Sequence, residues 1–555
     1  MDFNNKIVKM TQNKKFLNGI SISIGALTFL YIFGINFLFS KTTFFYHFDH
    51  PLFLTGYLSF INDSWHFPLG VTDNIYPGSN FSIVWTDSIP IYSIFLKIIK
   101  TLFGIKISNP FPLWYFTCYL LSSYYIGKIL QTRTNNIFNY VFGIFILINT
   151  PLMVNRMIFH SALSSHWLIL AVIYYYIINE ENNYKNFFGY ALITAISLFI
   201  HPYLFTILFP IYFISILKSF FLKKNIALNI KSLFIFSVLI AFYFFGVLTN
   251  FSSNSNNSIR RRDYIKYGAE FNSFFCGENP VWIINKYLWC NPPYTQIHHE
   301  GYAYLGVGII FLTFLFFFNI KSLIKSLKKN KLLILVLFSM LLYSFGNKWK
   351  IAHVQIFEFQ PTKFHLNLLE IFRSTGRYTW ALYYFLAVFA VLNIFKLENK
   401  KLATLILFFA LSLQLVESYN VYPGKSGWFK LNNIPTAQVT IAKNIFELNG
   451  EQILHVLPDE RCASMPQADH YIVALEFLNL GGKVQTTRTS RLLLDFDFCE
   501  NYSIEKSIKT YSPFHFVIND ISLLNKTNFR LDYQCIILPK YIHEDSNPAY
   551  CTKQK

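Results

Sequence analysis

The sequence predicts a mainly α-helical, polytopic transmembrane protein of about eleven spans, followed by a C-terminal extracytoplasmic α/β domain. Three observations carry that expectation. Of the 555 residues, 53% are hydrophobic and only 14% charged, where a soluble domain carries about 25% charged. Apolar runs recur between residues 17 and 418, and none follows residue 419. The formal charge of +19 gathers in the segments between alternate runs, as in cytoplasmic loops. A disordered chain, a disulfide-stapled miniprotein and an ordinary cytosolic enzyme are excluded. The basic excess follows from topology, so no nucleic acid partner is invoked.

A bilayer core of about 30 Å needs about 20 apolar residues per helix. The expected spans are 17–39, 110–130, 137–154, 159–178, 187–200, 203–220, 229–250, 302–320, 332–345, 376–396 and 402–418. Segment 88–105 is different. Ser93, Lys97, Lys100 and Thr101 form one helical stripe opposite Ile, Phe and Leu, the pattern of an interfacial amphipathic helix. With that helix outside the count and the N-terminus cytoplasmic, the cytoplasmic segments hold nineteen basic and four acidic residues. Were 88–105 to span, the lysine-rich loops 218–231 and 321–331 would face outward, against the positive-inside rule. The first span has a basic flank and no small-x-small cleavage pattern, so it reads as an uncleaved anchor. The expected division is a transmembrane domain 1–418, with outward loops 40–109, 251–301 and 346–375, and a soluble extracytoplasmic domain 419–555.

The first outward loop holds Asp49, Asp63, Asp73 and Asp87, with His47, His50, His66, Trp65, Trp85 and Tyr76. Carboxylates accept protons from sugar hydroxyls, and aromatic faces pack on sugar rings. The plainer reading is a solvated loop whose acids cap helices. The spacing His-x-Asp-His across His47–His50 matches no strong ligand template. No metal ligand is assigned, and a divalent metal is left open as the sole cofactor. In the second loop, Arg260, Arg261 and Arg262 run against the positive-inside trend. Guanidinium forks suit phosphate oxygens, and the plainer reading is a solvated charge run. His298, His299 and Glu300 close that loop. Arg373 and Arg377, four apart, would share a helix face and meet an anionic lipid headgroup, or serve as snorkelling anchors. His201, beside Pro202 at an outer helix end, reads more simply as a polar terminus.

Cys118 lies inside a span. Cys276, Cys290, Cys462, Cys499, Cys535 and Cys551 all fall on the outward side, where disulfides are expected. Cys276 and Cys290 share a loop and form the natural pair. The other four allow three pairings. After 419, strand-like runs at 452–457, 483–487 and 535–538 surround a helix-like run at 472–480 that ends at Gly481-Gly482, a C-cap signal. Asp495-Phe-Asp497 is a lone D-x-D. No G-x-G-x-x-G, Walker A, H-E-x-x-H or C-x-x-C motif occurs, so nucleotide, zincin and thioredoxin readings lack support.

Several stretches, in order, resemble a bacterial family of polytopic membrane proteins of unknown function placed among the GT-C-type glycosyltransferases. They are FDHPLFLTGYLSFINDSWHFPLG (48–70), WTDSIP (85–90), HPYL (201–204), EGYAYLGVG (300–308), FRSTGRYTW (372–380) and ALEFLNLGGKVQTTRTSR (474–491). The resemblance implies a GT-C-like fold in the inner membrane, using a polyprenyl-phosphate sugar donor at the outer face. The acceptor would be an extracytoplasmic glycan, lipid or protein. It implies an acidic catalytic residue in the first loop: Asp49 as general base for inverting attack, with Asp63 and Asp87 in reserve. Trp65, His66, His201, Glu300, Arg373 and Arg377 would bind substrate, the arginines taking the leaving polyprenyl phosphate, and Arg260–Arg262 would be further phosphate contacts. The rival readings are a flippase or transporter of lipid-linked saccharides and a non-catalytic envelope assembly protein.

Overall fold

The computed structural model describes residues 13–39, 49–181, 186–248, 267–276, 299–318, 328–351, 354–419, 436–448, 453–457, 469–485, 503–511, 515–518, 520–524, 532–538 and 547–554. Arg260–Arg262, His298, Cys290, Cys462, Cys499, Asp495 and Asp497 lie outside these. Every run expected to span forms a helix. The chain begins with α1 (Lys14–Phe33), α2 (His50–Asn62), α3 (Pro90–Phe103) and α4 (Phe111–Leu130). It continues through α5 (Ile137–Ile148), α6 (Pro151–Phe159), α7 (Trp167–Glu181), α8 (Phe187–Ile200), α9 (Pro202–Phe221) and α10 (Ile226–Gly246). Then come α11 (Val307–Phe318), α12 (Lys331–Ser344), α13 (Lys363–Ile371), α14 (Thr379–Ile394) and α15 (Lys400–Ser418).

Among the described residues, 6 helical segments are long and apolar enough to cross a membrane, or up to 7 if α5 and α6, bent by 45°, count as one span. The expected eleven is therefore more than length and composition support. Helices α8 and α12 have 14 residues and α11 has 12. At 1.5 Å per residue they rise about 18–21 Å, short of the bilayer core. Helix α4 has 20 residues, but its tyrosines, serines and Trp114 dilute its hydropathy.

Two helices behave unlike the spans. Helix α2 is buried from His50 to Ile61 on every side, which marks an enclosed helix rather than a surface one. Helix α3 is amphipathic, as expected, but its polar stripe faces protein instead of water. Lys97 Nζ donates to Ser64 O at 2.9 Å and Lys100 Nζ to Ile61 O at 2.6 Å. These carbonyls close the C-terminal end of α2, where the last helical carbonyls lack intrahelical partners and cations are favoured. The opposite face, Phe95, Ile98, Leu102 and Phe103, is exposed, as an interfacial helix requires.

After 419 the described helices of eight residues or more are α16 (Thr436–Leu448), α17 (Asp469–Leu480) and α18 (Ile504–Tyr511). Two hairpins come earlier: β1 (Val71–Thr72) with β2 (Phe81–Ser82), and β3 (Lys348–Ile351) with β4 (Val354–Glu358). The five later strands are β5 (Ile453–Leu457), β6 (Lys483–Val484), β7 (His515–Ile518), β8 (Tyr533–Ile537) and β9 (Ala549–Lys553). They form one mixed sheet in the order β6-β5-β7-β9-β8, parallel from β6 to β7 and antiparallel beyond. Helix α17 ends at Gly481, whose φ of 104° is the left-handed cap its sequence signalled.

This α/β segment is tied to the first loop. Ile75 bridges Val484 in parallel. Asn62 Nδ2 donates to Leu478 O at 2.7 Å, and Lys483 pairs with Asp73 at 3.5 Å. One apolar core runs from Leu52 and Tyr57 to Val473, Phe477 and Val484.

Of the three cysteine pairings left open, Cys535 joins Cys551, directly opposite on β8 and β9 with Cα atoms 4.1 Å apart. Closing a loop of this size stabilises by about 3 kcal/mol in the chain-entropy treatment. Cys535→Ser should lower the thermal stability of the sheet by about that much. Non-reducing peptide mapping should lose the cross-linked peptide in the same variant.

Candidate functional site

Polar groups converge where α2 begins, α6 and α8 end, and α9 and α14 begin. The strongest contact is ionic. Arg377 donates from Nε to Glu300 Oε2 and from Nη2 to Oε1, each at 2.6 Å. Arg156 adds Nη1 to Oε2 at 3.2 Å. Two parallel N–H···O bonds are the strong, oriented form of an arginine–carboxylate pair. Two glycines permit the approach: a Cβ on Gly376 would meet Gly301 N at 2.8 Å and Glu300 O at 2.9 Å. The arginines also lie on aromatic faces, Arg377 at 4.4 Å from the Tyr203 ring centre and Arg156 at 5.0 Å from that of Trp380, which favours planar guanidinium groups.

Asp87 faces this network from the loop before α3. It sits in the left-handed region (φ 51°), as does Ile89 (φ 53°). A β-branched residue there is a true outlier, and such strain needs surrounding structure to hold it. Ser88 Oγ donates to Phe53 O at 2.8 Å and meets Thr86 Oγ1 at 2.9 Å. Gly56 of α2 lies beneath: any Cβ there would collide with the Thr86 and Ser88 side chains. Glycine at 56 thus lets the loop press Asp87 inward.

Two histidines close on the two oxygens of Asp87. His160 Nε2 lies 3.6 Å from Oδ2 and His201 Nε2 3.6 Å from Oδ1. These are just beyond hydrogen-bond length, a spacing that tightens readily in a loaded site. The three ligand atoms lie within 4.8 Å of one another, close enough to invite a metal reading. The imidazole orientations oppose it. His201 Nδ1 accepts the Tyr203 N–H at 3.2 Å, and His160 Nδ1 accepts the Leu163 N–H at 3.4 Å. In a neutral ring that places the proton on Nε2, toward Asp87. A metal-bound imidazole has the reverse arrangement, its free nitrogen donating. The cluster fits a carboxylate held between two N–H donors better than a metal centre. Burial, and then the Arg377 charge, push His160 down to about 3, against the opposing pull of Asp49 and Glu300.

Asp49 is the N-cap of α2 and makes no side-chain cap hydrogen bond; it acts electrostatically on His160. Its neighbour His50 is buried, with Nδ1 3.3 Å from Ser161 Oγ. Asp63, Trp65 and His66 are not part of this cluster. They stand at the other end of α2, whose 13 residues rise about 20 Å. Burial opposes the Asp63 charge, but the Asp73 N–H, His66, Thr72 and the Ser64 N–H hold its carboxyl below the usual range. Asp63 clasps a loop, so the reserve role as base does not suit it. Trp65 Nε1 donates to Thr101 Oγ1 at 3.1 Å. Arg373 and Arg377 share no helix face, because α14 starts only at Thr379, after a 3-10 turn at Thr375–Tyr378. Arg373 lies 5.7 Å from the Tyr267 ring centre, apart from the Glu300 network, and Arg377 is committed to Glu300. His201 caps α9, the plainer role weighed for it, and its Nε2 also faces Asp87.

Sequence reasoning missed Arg156 and His160. The signal was an arginine at the edge of a strongly apolar run, since such charges are retained near membranes mainly when paired.

A family model described as a domain of unknown function (DUF6311) matches residues 22–419. The chain belongs to the DUF6311 family. The matched region contains every residue of the cluster and ends before α16. No curated protein matched the chain. Among solved structures, the fold is similar to that of the arabinofuranosyltransferase AftD from Mycobacteria. The TM-score is 0.58 at 8% identity, over 98% of this chain and 40% of that one. The chain thus spans well under half the length of AftD. At that identity the likeness is one of fold alone.

Two outcomes follow from the cluster. Arg377→Met removes the bidentate partner of Glu300 and should cost about 3–5 kcal/mol, as when a buried pair loses one partner. The measurement is the melting temperature of the purified protein, with Arg373→Met as a near-neutral control. The second concerns pH. An unfolded histidine takes its proton near pH 6.5, whereas folded His160 does so only near about 3. Its contribution is therefore full above about 6.5 and lost as pH falls toward about 3. His160→Gln should flatten the stability–pH curve across that window.

Proposed function

We propose that this chain is a membrane glycosyltransferase of the GT-C type. It transfers a sugar from a polyprenyl-phosphate donor to an extracytoplasmic glycan, lipid or protein. The observation that carries this reading is Asp87 set between His160 and His201, with an arginine cluster beside it and Asp49 heading α2, at one end of a helical bundle. The fold likeness to an arabinofuranosyltransferase supports it.

In this reading Asp49 is the general base. Its carboxylate takes the proton of the acceptor hydroxyl as that oxygen bonds to the anomeric carbon. The bond from that carbon to the phosphate oxygen breaks, and the polyprenyl phosphate leaves with the electron pair. Direct displacement inverts the anomeric centre. The transition state carries positive charge on the sugar ring. Asp87, held between His160 and His201, is a fixed negative charge suited to stabilising it. Arg377 and Arg156 are occupied by Glu300, so they contribute a positive field more than a free phosphate clamp. Arg373, outside that network, is the better-placed arginine for the leaving phosphate.

General bases contribute about 10²–10⁴-fold. Asp49→Asn and Asp87→Asn should each lower transfer at least about 100-fold while the protein still inserts and purifies normally. A deletion strain should accumulate a lipid-linked sugar detectable by mass spectrometry of polyprenyl phosphates. An unchanged lipid pool, together with full activity in both variants, would reject the reading in favour of a non-catalytic envelope protein.

A further inference from the structure

We propose that the β3–β4 hairpin is a membrane-interface element, lying in the lipid headgroup layer beside the site. Its exposure is the starting point. All five residues of β4 are exposed, including Val354 (65%), Ile356 (52%) and Phe357 (50%), and Ile351 at the end of β3 is 38% exposed. A two-stranded hairpin is marginal in water by itself, and exposed apolar strand edges invite aggregation. Such a surface needs a cover.

Continuity with the bundle identifies that cover as lipid. The hairpin leaves α12 directly through Phe345 and Gly346. Helix α12 has only 14 residues, about 21 Å of rise against a core of about 30 Å. Leu332, Leu335 and Phe338 are exposed along it and mark its lipid-facing flank. The apolar hairpin extends that flank where the helix runs out. Phe345 stacks on Phe271 at 4.2 Å between ring centres, and Trp349 lies 5.3 Å from Phe357. Trp349 also lies 5.9 Å from Phe271, so aromatic packing ties the hairpin to the segment 267–276.

Depth follows from backbone chemistry. Backbone N–H and C=O groups along the edges of a ribbon need partners that hydrocarbon does not supply, and on the β3 side the Phe271 N–H already donates to Lys350 O at 3.1 Å. The interface supplies water for those edges and apolar chains for Val354, Ile356 and Phe357. Tryptophan and lysine are favoured at that level. Trp349, Lys348 and Lys350 lie on β3, and Lys363 opens α13. Glu358 is the single acid of the hairpin and is paired with Lys348 at 3.1 Å. The net charge suits lipid phosphates. Helix α3 presents Phe103 and its neighbours in the same manner, so the two elements form separate lipid-contacting parts of the rim around the Asp87 cluster.

The test uses the full chain in lipid nanodiscs. Val354→Cys, at an exposed position, carries an environment-sensitive nitrobenzoxadiazole label. Phe103→Cys, on the exposed face of α3, serves as the comparison. Nitroxide lipids labelled at the headgroup should quench the 354 label severalfold more than nitroxides near the bilayer centre, and aqueous iodide should quench it weakly. Strong iodide quenching with no lipid quenching would overturn the proposal and assign the apolar face to a soluble partner. Dominant quenching from the bilayer centre would overturn it as well, by placing the strands in hydrocarbon.

Discussion

One carboxylate between two guanidinium groups organises the polar end of this molecule. Glu300 receives Arg377 through both oxygens and Arg156 through one. Desolvating three charges costs several kcal/mol per ion, which the two short bonds from Arg377 help offset. In return it joins three segments distant in sequence: the end of α6, the turn at Glu300 and the turn before α14. The remaining positive charge of the trio acts on Asp87. Carboxylates on one side and guanidinium groups on the other make the cluster a place where charge can be moved, not merely buried.

The loop of Asp87 shows how the backbone serves that arrangement. Two consecutive outward-and-back turns, with Asp87 and Ile89 both at positive φ, are unfavourable alone. Hydroxyls of Thr86 and Ser88 and the missing side chain at Gly56 make room for them. The histidines then aim protonated nitrogens at the carboxylate because their other nitrogens accept backbone N–H groups, His201 at the start of α9 and His160 at the 3-10 turn Ala162–Ser164. Capping and electrostatics are thus the same hydrogen-bond pattern seen from two sides. A ring that accepts a backbone N–H at Nδ1 has already decided which face it offers to Asp87.

Much was legible beforehand. The apolar runs became helical, segment 88–105 became an amphipathic helix over Pro90–Phe103, and Gly481 capped α17 where its sequence marked it. Glu300, Arg377, His201 and Asp87 were all named as candidates. What failed to transfer was grouping. Asp63 and Asp49 look equivalent in one acidic loop, yet α2 separates them by its length and gives Asp63 a clasp of four donors. Arg373 and Arg377 look like a helical pair, yet the helix begins two residues after the second. His160 looked like one more residue of a span.

The sequence by itself determined what depends on local period and composition: helical runs, the charge bias of the segments between them, and caps. The reason is that water, lipid and backbone act on each segment independently of its neighbours. Tertiary structure alone decided which ends meet. It chose Glu300 over a lipid phosphate as partner for Arg377, Cys551 as partner for Cys535, and the interior rather than water for the lysines of α3. Those choices compare distant groups competing for the same buried contact, and no stretch of sequence read alone contains both competitors.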